Sequence, residues 1–197
     1  MRLKSPAQSL KILEAAARLF TTHRFHEARM EDIAALAQVG KGTLYRYFKD
    51  KEELYLALLN QASSGLQARL SQAHDPSLPP AEQLELVVAA LLAYFDEEPH
   101  VLDLITHAEA FLRPGTELPW QRTRKKTMAL IRTIFQEAEQ TGAFAFADVE
   151  SAILMLLGGL RAVIRFGTTP RPPSLARSLV LSFLGGYRTG ISSAPGR

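Results

Sequence analysis

The sequence predicts an all-α protein of about nine helices, and three observations lead to this fold class. Apolar residues recur at helical spacing along the 197 residues, whereas Val, Ile and Thr never alternate with polar residues over the length of a strand. Proline and glycine fall between these apolar segments, where helices end. The chain has no cysteine, so neither a disulfide framework nor a thiolate metal site holds the fold together.

The first four helices have clear start signals. Ser5-Pro6 offers a hydroxyl N-cap followed by a proline at the first helical position. Asp50 is suited to cap the fourth helix, whose first turn contains Glu52 and Glu53, favourably placed for the helix dipole. The four helices are predicted at about 6–23, 31–37, 41–48 and 51–73.

Five more helices are predicted from apolar spacing and from the breakers between them. They cover about 81–96, 99–112, 118–141, 148–166 and 173–189. We expect a small N-terminal domain over 1–52 and a larger helical domain over 53–190. The tail 191–197 is expected to be disordered.

Positive charge is concentrated at the N-terminal end of the chain. Residues 1–49 contain nine Lys and Arg against four Asp and Glu, whereas the other 148 residues carry a net charge of −2. A basic front segment suits a phosphate-binding module, although a solvated helix face would have the same composition. The N-terminus lacks the apolar run of a secretory signal, and no segment has the roughly 20 apolar residues of a membrane span. We therefore expect a soluble, cytoplasmic protein without a membrane partner.

The segment 30–55, MEDIAALAQVGKGTLYRYFKDKEELY, carries the most specific pattern. Ile33, Ala34 and Ala37 give the second helix an apolar face, and small alanines allow two helices to cross closely in a helix-turn-helix. Val39, Leu44 and Phe48 are expected to close the same small core. The residues left facing outward on the third helix are Lys41, Gly42, Thr43, Tyr45, Arg46 and Tyr47.

This outward set suits the major groove of DNA. Lys and Arg reach guanine edges, a threonine methyl touches a thymine methyl, and glycine allows close backbone approach. Phenols and a further lysine, Lys51, are suited to hold phosphates.

The run Val39–Phe48, followed by Lys51-Glu52-Glu53-Leu54, resembles the recognition-helix signature of the TetR/AcrR family. The resemblance extends over about residues 8–55 and includes the alanines of the first and second helices. It implies base contacts from Lys41, Thr43 and Arg46, and phosphate contacts from Tyr45, Tyr47 and Lys51. It also implies a ligand-responsive repressor that binds palindromic operator DNA as a homodimer.

Three positions depart from the commonest family pattern. Arg24 and Gln38 stand where glycine is frequent, so each is expected to strain a left-handed turn by about 1 kcal/mol. Arg29 stands where a threonine often caps the second helix and contacts a phosphate. Arginine does not accept a capping hydrogen bond, but its charge is suited to hold that phosphate, so Arg29 is included among the DNA-binding residues.

The last two helices are expected to form the dimer interface, as in the family. Small residues allow close crossing and aliphatic ones supply buried area in a four-helix bundle between two chains. The alternative is that both helices are simply intrachain core. The predicted interface residues are Ala152, Leu156, Gly159, Val163, Leu179, Phe183 and Gly186.

The middle helices, about 53–142, are expected to hold the effector pocket, again as in the family. Its predicted wall is largely aromatic and apolar, which favours an apolar or aromatic effector of unknown identity. An aromatic stripe of this kind is also compatible with core packing. The pocket candidates are Tyr94, Phe95, Leu104, His107, Phe111, Trp120, Met128 and Phe135.

Other functions have weaker support. His100, Asp103 and His107 share one helix face, so a metal-responsive regulator is an alternative, although a solvated face or pocket lining is the simpler reading of these residues. A helical structural adaptor is a second alternative, but it leaves the outward residues of the third helix without a role. No catalytic motif is present, so we expect no enzyme activity, no cofactor and no bound metal.

Overall fold

A computed structural model describes residues 5–23, 25, 27–111 and 119–187, without the side chains of 21 and 107–111. Within these ranges the chain forms nine helices and no strand, which confirms the predicted all-α class. The helices are α1 (Pro6–Thr22), α2 (Met30–Leu36), α3 (Lys41–Tyr47), α4 (Lys51–Ala73), α5 (Pro80–Glu97), α6 (His100–Phe111), α7 (Pro119–Gln140), α8 (Val149–Phe166) and α9 (Leu175–Leu184).

The helix starts follow the predicted capping residues in most cases. Pro6 occupies the first helical turn of α1, as expected, but the Ser5 hydroxyl makes no capping hydrogen bond. Asp50 does cap α4, since its carboxylate accepts from the Glu53 N–H at 2.8 Å. At α8, Asp148 accepts from the Ser151 N–H at 3.0 Å. Hydrogen bonding with the Ser151 side chain, and secondly with its backbone N–H, lowers the pKa of the Asp148 carboxyl.

The last helix is shorter than predicted. It ends at Leu184 with Gly185 as its C-cap, whereas the sequence analysis extended it to about 189 and placed Gly186 on a helical stripe. Two successive glycines end the helix because they lose more backbone entropy in a helix than any other residue. The tail 191–197 lies outside the described residues.

The chain divides into two compact units, and the domain limits at 1–52 and 53–190 stay a prediction beside this division. One unit contains the residues up to Gly65 together with Glu98–Thr123, and the other contains Leu66–Glu97 and the residues from Arg124 onward. The long helices α4 and α7 therefore each contribute residues to both units.

In the first unit, α1 packs against α2 and α6, and α2 packs against α3. A cluster of Phe20, Phe25 and Tyr55 lies beside these contacts, with ring centroids 4.9 to 5.9 Å apart. The Tyr55 hydroxyl donates to the carbonyl of Leu104 in α6 at 2.6 Å. Burial, with a smaller contribution from Asp103, raises the pKa of Tyr55, so the phenol stays a hydrogen-bond donor at every physiological pH.

In the second unit, α5 packs against α8 and α9. Phe135 stacks on Phe146 at 4.3 Å and on Phe183 at 6.0 Å. Gln83 is buried, and its amide donates to the Leu78 carbonyl and to the Glu137 carboxylate. These partners satisfy both hydrogens of its buried amide group.

The end of α8 is held by an arginine from the following loop. The Arg171 guanidinium is paired with Asp96, at the end of α5, and donates to the carbonyls of Val163 and Ile164. These carbonyls belong to the last turn of α8, and the Val163 carbonyl also accepts from the Gly167 N–H at 2.9 Å. Arg171 thereby fixes the loop 167–174 against α5 and α8.

Candidate DNA-binding surface

The helices α2 and α3 close over the small core that the sequence predicts. Ile33, Ala34 and Ala37 are buried on α2 and at its end, and Leu44 and Phe48 are buried on and after α3. Val39, in the turn, is half-buried. This packing fixes which side of α3 faces outward, because the face that carries Leu44 is fully occupied by the core.

The turn between α2 and α3 contains a left-handed residue. Gln38 has a φ of 52°, which confirms the left-handed turn expected where glycine is frequent. The strain expected from a residue with a Cβ in this conformation stays a prediction. After Gln38, the Val39 N–H donates to the Ala34 carbonyl at 2.9 Å. Gly40 is the N-cap of α3. Arg24, the other expected departure, lies outside the described residues.

The outward side of α3 is polar. Lys41, Gly42 and Arg46 are exposed and Tyr45 is 41% exposed, as the sequence predicts, whereas Thr43 is half-buried. A Cβ added at Gly42 would meet nothing within 4 Å, so packing inside the protein does not require a glycine there. The exposed side of α3 therefore presents two cations, a phenol and a bare stretch of backbone.

Lys41 is tied to α2 by a contact that sequence reasoning missed. Its ammonium lies 2.6 Å from Oε1 of Glu31 and 5.9 Å from the ring centroid of Tyr45. The hydrogen bond to Glu31 raises the pKa of Lys41, and the same bond lowers the pKa of Glu31. The only sign of this pair in the sequence was that an acidic residue stands in the first turn of α2 and a basic residue begins the next helix, α3.

The prediction that Tyr47 faces outward is wrong. Its side chain is 5% exposed, because position 47 lies one turn after Leu44 and shares its buried face. The Tyr47 hydroxyl accepts from the Ser5 N–H at 2.6 Å and donates to Oε1 of Gln8 at 3.2 Å. Tyr47 thus joins the end of α3 to the start of α1, and its ring lies 5.6 Å from the Arg46 guanidinium carbon.

Lys51 has structural partners that the sequence did not reveal. Its ammonium donates to the carbonyls of Phe25 and Ala28 at 2.5 and 2.9 Å, and lies 4.5 Å from the Phe25 ring centroid. Burial lowers the pKa of Lys51. The lysine therefore secures the segment between α1 and α2, and the expected phosphate contact remains a prediction beside this role.

Arg29 occupies the N-cap position of α2 and makes no side-chain capping hydrogen bond, as expected for arginine. Its side chain is exposed, so the charge stands at the surface where the family pattern has a phosphate-binding threonine.

The residues predicted to line an effector pocket are divided between the two units. Leu104 and Trp120 belong to the first unit, and Tyr94, Phe95, Met128 and Phe135 belong to the second. Phe135 is fully buried in the stack with Phe146, so at this position core packing accounts for the aromatic ring. The side chains of His107 and Phe111 lie outside the described ones.

Two of the seven residues predicted for the dimer interface are buried within one chain. Ala152 and Leu156 are covered by their own protomer, so the intrachain alternative holds for them. Val163, Leu179 and Phe183 are half-buried, and Gly159 and Gly186 are exposed. The apolar side chains that one protomer leaves uncovered on α8 and α9 are Leu154, Met155, Phe166 and Leu181.

The uncovered side of α8 forms one continuous stripe. Met155, Gly159, Ala162 and Phe166 are exposed and follow one another at spacings of three or four residues. Met155 is 64% exposed and Phe166 is 83% exposed, which is unusual for side chains of this size. A Cβ added at Gly159 would meet nothing within 4 Å, so this glycine leaves the stripe flat.

Among the residues whose side chains are described, no group of three His, Cys, Asp or Glu side chains is placed to hold a metal ion. His100 is half-buried, its imidazole lies 3.6 Å from the Glu98 carboxylate, and burial lowers its pKa. His107, the third member of the predicted cluster, is among the side chains that are not described. In the described part of the chain, none of the helices is both long and apolar enough to cross a membrane.

Two family models match this chain. The model described as "Bacterial regulatory proteins, tetR family" matches residues 12–58, which contain the helix-turn-helix and the start of α4. The model described as "Tetracyclin repressor-like, C-terminal domain" matches residues 77–165. Together they cover more than half of the sequence, in the expected order.

Similar proteins agree with both matches. The uncharacterized HTH-type transcriptional regulator YhgD of Bacillus subtilis is 26% identical over 82% of this chain and 85% of its own length. The crystal structure of the TetR family transcriptional regulator PfmR from Thermus thermophilus has a TM-score of 0.76 and 27% identity, covering 88% of this chain and 97% of that one.

A third similar protein shows the same fold at lower identity. The transcriptional regulator FadR from Bacillus subtilis, solved in complex with stearoyl-CoA, has a TM-score of 0.74 and 21% identity, covering 90% of this chain and 98% of that one. The two matched family models, the nine helices and the polar outward face of α3 lead to one assignment. This chain is a transcriptional regulator of the TetR family.

Proposed function

We propose that this protein is a repressor that binds palindromic operator DNA as a homodimer and is released by a small effector. The observation that carries the proposal is the outward side of α3, where Lys41, Tyr45 and Arg46 stand exposed above a buried core. Such a helix presents hydrogen-bond donors to base edges in the major groove.

The residues on the outward side of α3, together with Arg29 at the start of α2, each have a chemical role in this proposal. Lys41 and Arg46 donate to guanine O6 and N7, and the Thr43 methyl contacts a thymine methyl. Tyr45 and Arg29 hold phosphates, which fix the position of the helix on the duplex.

Gly42 supports the same interpretation. A glycine in a helix costs about 0.5–1 kcal/mol relative to alanine, yet among the residues that the structure describes no atom would obstruct a Cβ at this position. A glycine at position 42 is explained if a Cβ there would collide with the DNA backbone, which approaches the start of α3 in the complex.

The exposed stripe of α8 is proposed as the dimer interface, with Leu181 of α9 beside it. Gly159 and Ala162 let two α8 helices cross closely, while Met155 and Phe166 supply buried apolar area. A two-fold dimer places two α3 helices on half-sites about 34 Å apart and adds their binding energies.

Release by an effector is proposed to act through α4. This helix begins next to the recognition helix and contributes residues to both units, so displacing it changes the position of α3. The effector must prefer the conformation that does not fit the operator. Stearoyl-CoA is the first probe to test, because a protein of the same fold was solved with it.

The decisive experiment is fluorescence anisotropy of the purified protein with the intergenic DNA upstream of its own gene, across a salt series. We expect two protomers per site, affinity that falls steeply with salt, and much weaker binding to a scrambled duplex. Arg46→Ala serves as the matched variant, because this exposed side chain is a proposed base contact.

Equal binding of both duplexes, repeated with duplexes selected from a random library, would contradict sequence-specific DNA recognition. With the operator in hand, stearoyl-CoA and shorter acyl-CoA thioesters are added in turn. Dissociation of the complex by a thioester but not by free coenzyme A supports an apolar effector, whereas no response across the series argues against this effector class.

A further inference from the structure

An ion pair links the two helices of the helix-turn-helix at the surface that faces outward. Lys41 is the first residue of α3, and Glu31 lies in the first turn of α2. Their charged atoms are 2.6 Å apart, and the side chains remain 64% and 51% exposed. The Lys41 ammonium is therefore held in one direction while it stays accessible to a partner outside the protein.

A carboxylate at this place opposes non-specific DNA binding. DNA is bound through its phosphates, and each lysine that neutralises a phosphate contributes affinity to every sequence alike. Glu31 repels phosphates, and it also holds the ammonium that would otherwise neutralise one. The pair therefore weakens the contribution of Lys41 to binding wherever the DNA offers only a phosphate.

The same pair is compatible with reading a base. An ammonium has three donors, and the contact with Glu31 uses one of them. The two remaining donors match the N7 and O6 acceptors of a guanine, which lysine contacts together. A lysine that is already oriented also loses less side-chain entropy on binding than an unrestrained one.

We infer that Glu31 is a specificity-determining residue, which orients Lys41 toward one guanine and penalises DNA that lacks it. This inference rests on the proposed function, in which α3 enters the major groove. Glu31 itself contacts no base and acts through Lys41.

The test uses a duplex that the wild-type protein selects from a random-sequence library, its variants with each guanine replaced in turn, and a scrambled duplex. Four proteins are compared with the wild type: Glu31→Gln, Asp32→Asn, Lys41→Ala and the double variant of Glu31→Gln with Lys41→Ala. Asp32→Asn is the matched control, since it removes one negative charge from an exposed position of the same helical turn.

We expect the wild type to discriminate against loss of one guanine by about 5- to 150-fold, and Lys41→Ala to abolish this discrimination. Glu31→Gln reduces it about three- to tenfold and tightens binding to the scrambled duplex. Asp32→Asn tightens both duplexes equally and keeps their ratio. In the Lys41→Ala background, Glu31→Gln leaves the ratio unchanged.

Two results would overturn the inference while the proposed function stands. One is that Glu31→Gln and Asp32→Asn give the same ratio of affinities for the selected and the scrambled duplex. Glu31 would then act on DNA binding only through its negative charge, as Asp32 does. The other is an undiminished effect of Glu31→Gln in the Lys41→Ala background. Failure of the wild type to enrich any duplex would instead contradict the proposed function itself.

Discussion

The outward faces of α3 and α8 differ in what they require from their surroundings. The α3 face carries Lys41, Tyr45 and Arg46, which water solvates well. The α8 face carries Met155 and Phe166, and a contiguous apolar surface of this kind marks a protein contact. A polar face is stable in water and suits a transiently bound partner, whereas an apolar face favours a permanent protein interface.

The largest expected effect on operator affinity comes from a substitution at Gly159, on the α8 face. Gly159→Lys places a charge in the middle of the α8 stripe but meets no atom of its own chain, so the protomer should fold normally. We expect a monomer by analytical ultracentrifugation, with operator affinity reduced about 10²- to 10⁴-fold because the two half-sites are no longer read together. Gln136→Lys adds the same charge to an exposed position of α7 and should leave a dimer. A dimeric Gly159→Lys protein would show that α8 lies elsewhere in the assembly.

On the α3 face, Arg46→Ala tests base reading without disturbing the core. The side chain is exposed, so the free energy of unfolding should change by less than about 0.5 kcal/mol. Operator binding should weaken by about 1–3 kcal/mol, with relaxed preference at one base pair of each half-site. Anisotropy titrations with single-base-pair variants measure both. Unchanged affinity and preference would mean that α3 is not the recognition helix.

Gly42→Ala tests the α3 face further, because it should raise the free energy of unfolding while it lowers operator affinity. The added methyl group meets no atom of the protein, so the fold should gain about 0.5–1 kcal/mol in urea unfolding. Operator binding should weaken, since the methyl group stands where the DNA backbone approaches. A variant that is more stable and binds operator as tightly as the wild type would remove Gly42 from the interface.

The smallest expected effect is at Gln38, whose left-handed backbone costs more than that of glycine. Gln38→Gly relieves this strain but makes the unfolded chain more flexible, so the net gain should be about 0.5 kcal/mol at most, or about 1–2 °C in Tm. Gln38→Ala keeps the strained φ and should give no gain. Equal Tm values for the two variants would mean that the turn carries no strain.

The sequence predicted the helices well because their limits depend on local residues such as Pro6 and Asp50. It also placed Leu44 inside and Arg46 outside correctly, because the motif spans one continuous core. Tyr47 was misplaced because only Leu44 and Phe48 were assigned to the core in this segment, although position 47 lies one turn after Leu44 and shares its buried face.

Long-range partners were beyond sequence reasoning. α8 has apolar residues around most of its circumference, so spacing alone did not decide whether Leu156 or Met155 would be covered by its own chain. The carbonyls that Lys51 contacts lie more than 20 residues away in the chain. The nine residues between Glu31 and Lys41 include a left-handed turn, whose geometry brings the two charged groups together.

The hydroxyl of Tyr47 connects the first turn of α1 to the last turn of α3 through two hydrogen bonds, so the two turns are expected to move together. The backbone N–H of Ser5 is one end of this connection, so a change at the start of α1 is expected to affect the recognition helix. A purification tag close to the start of α1 is expected to change operator affinity for this reason. Binding assays should therefore use a tag at the other end of the chain or none.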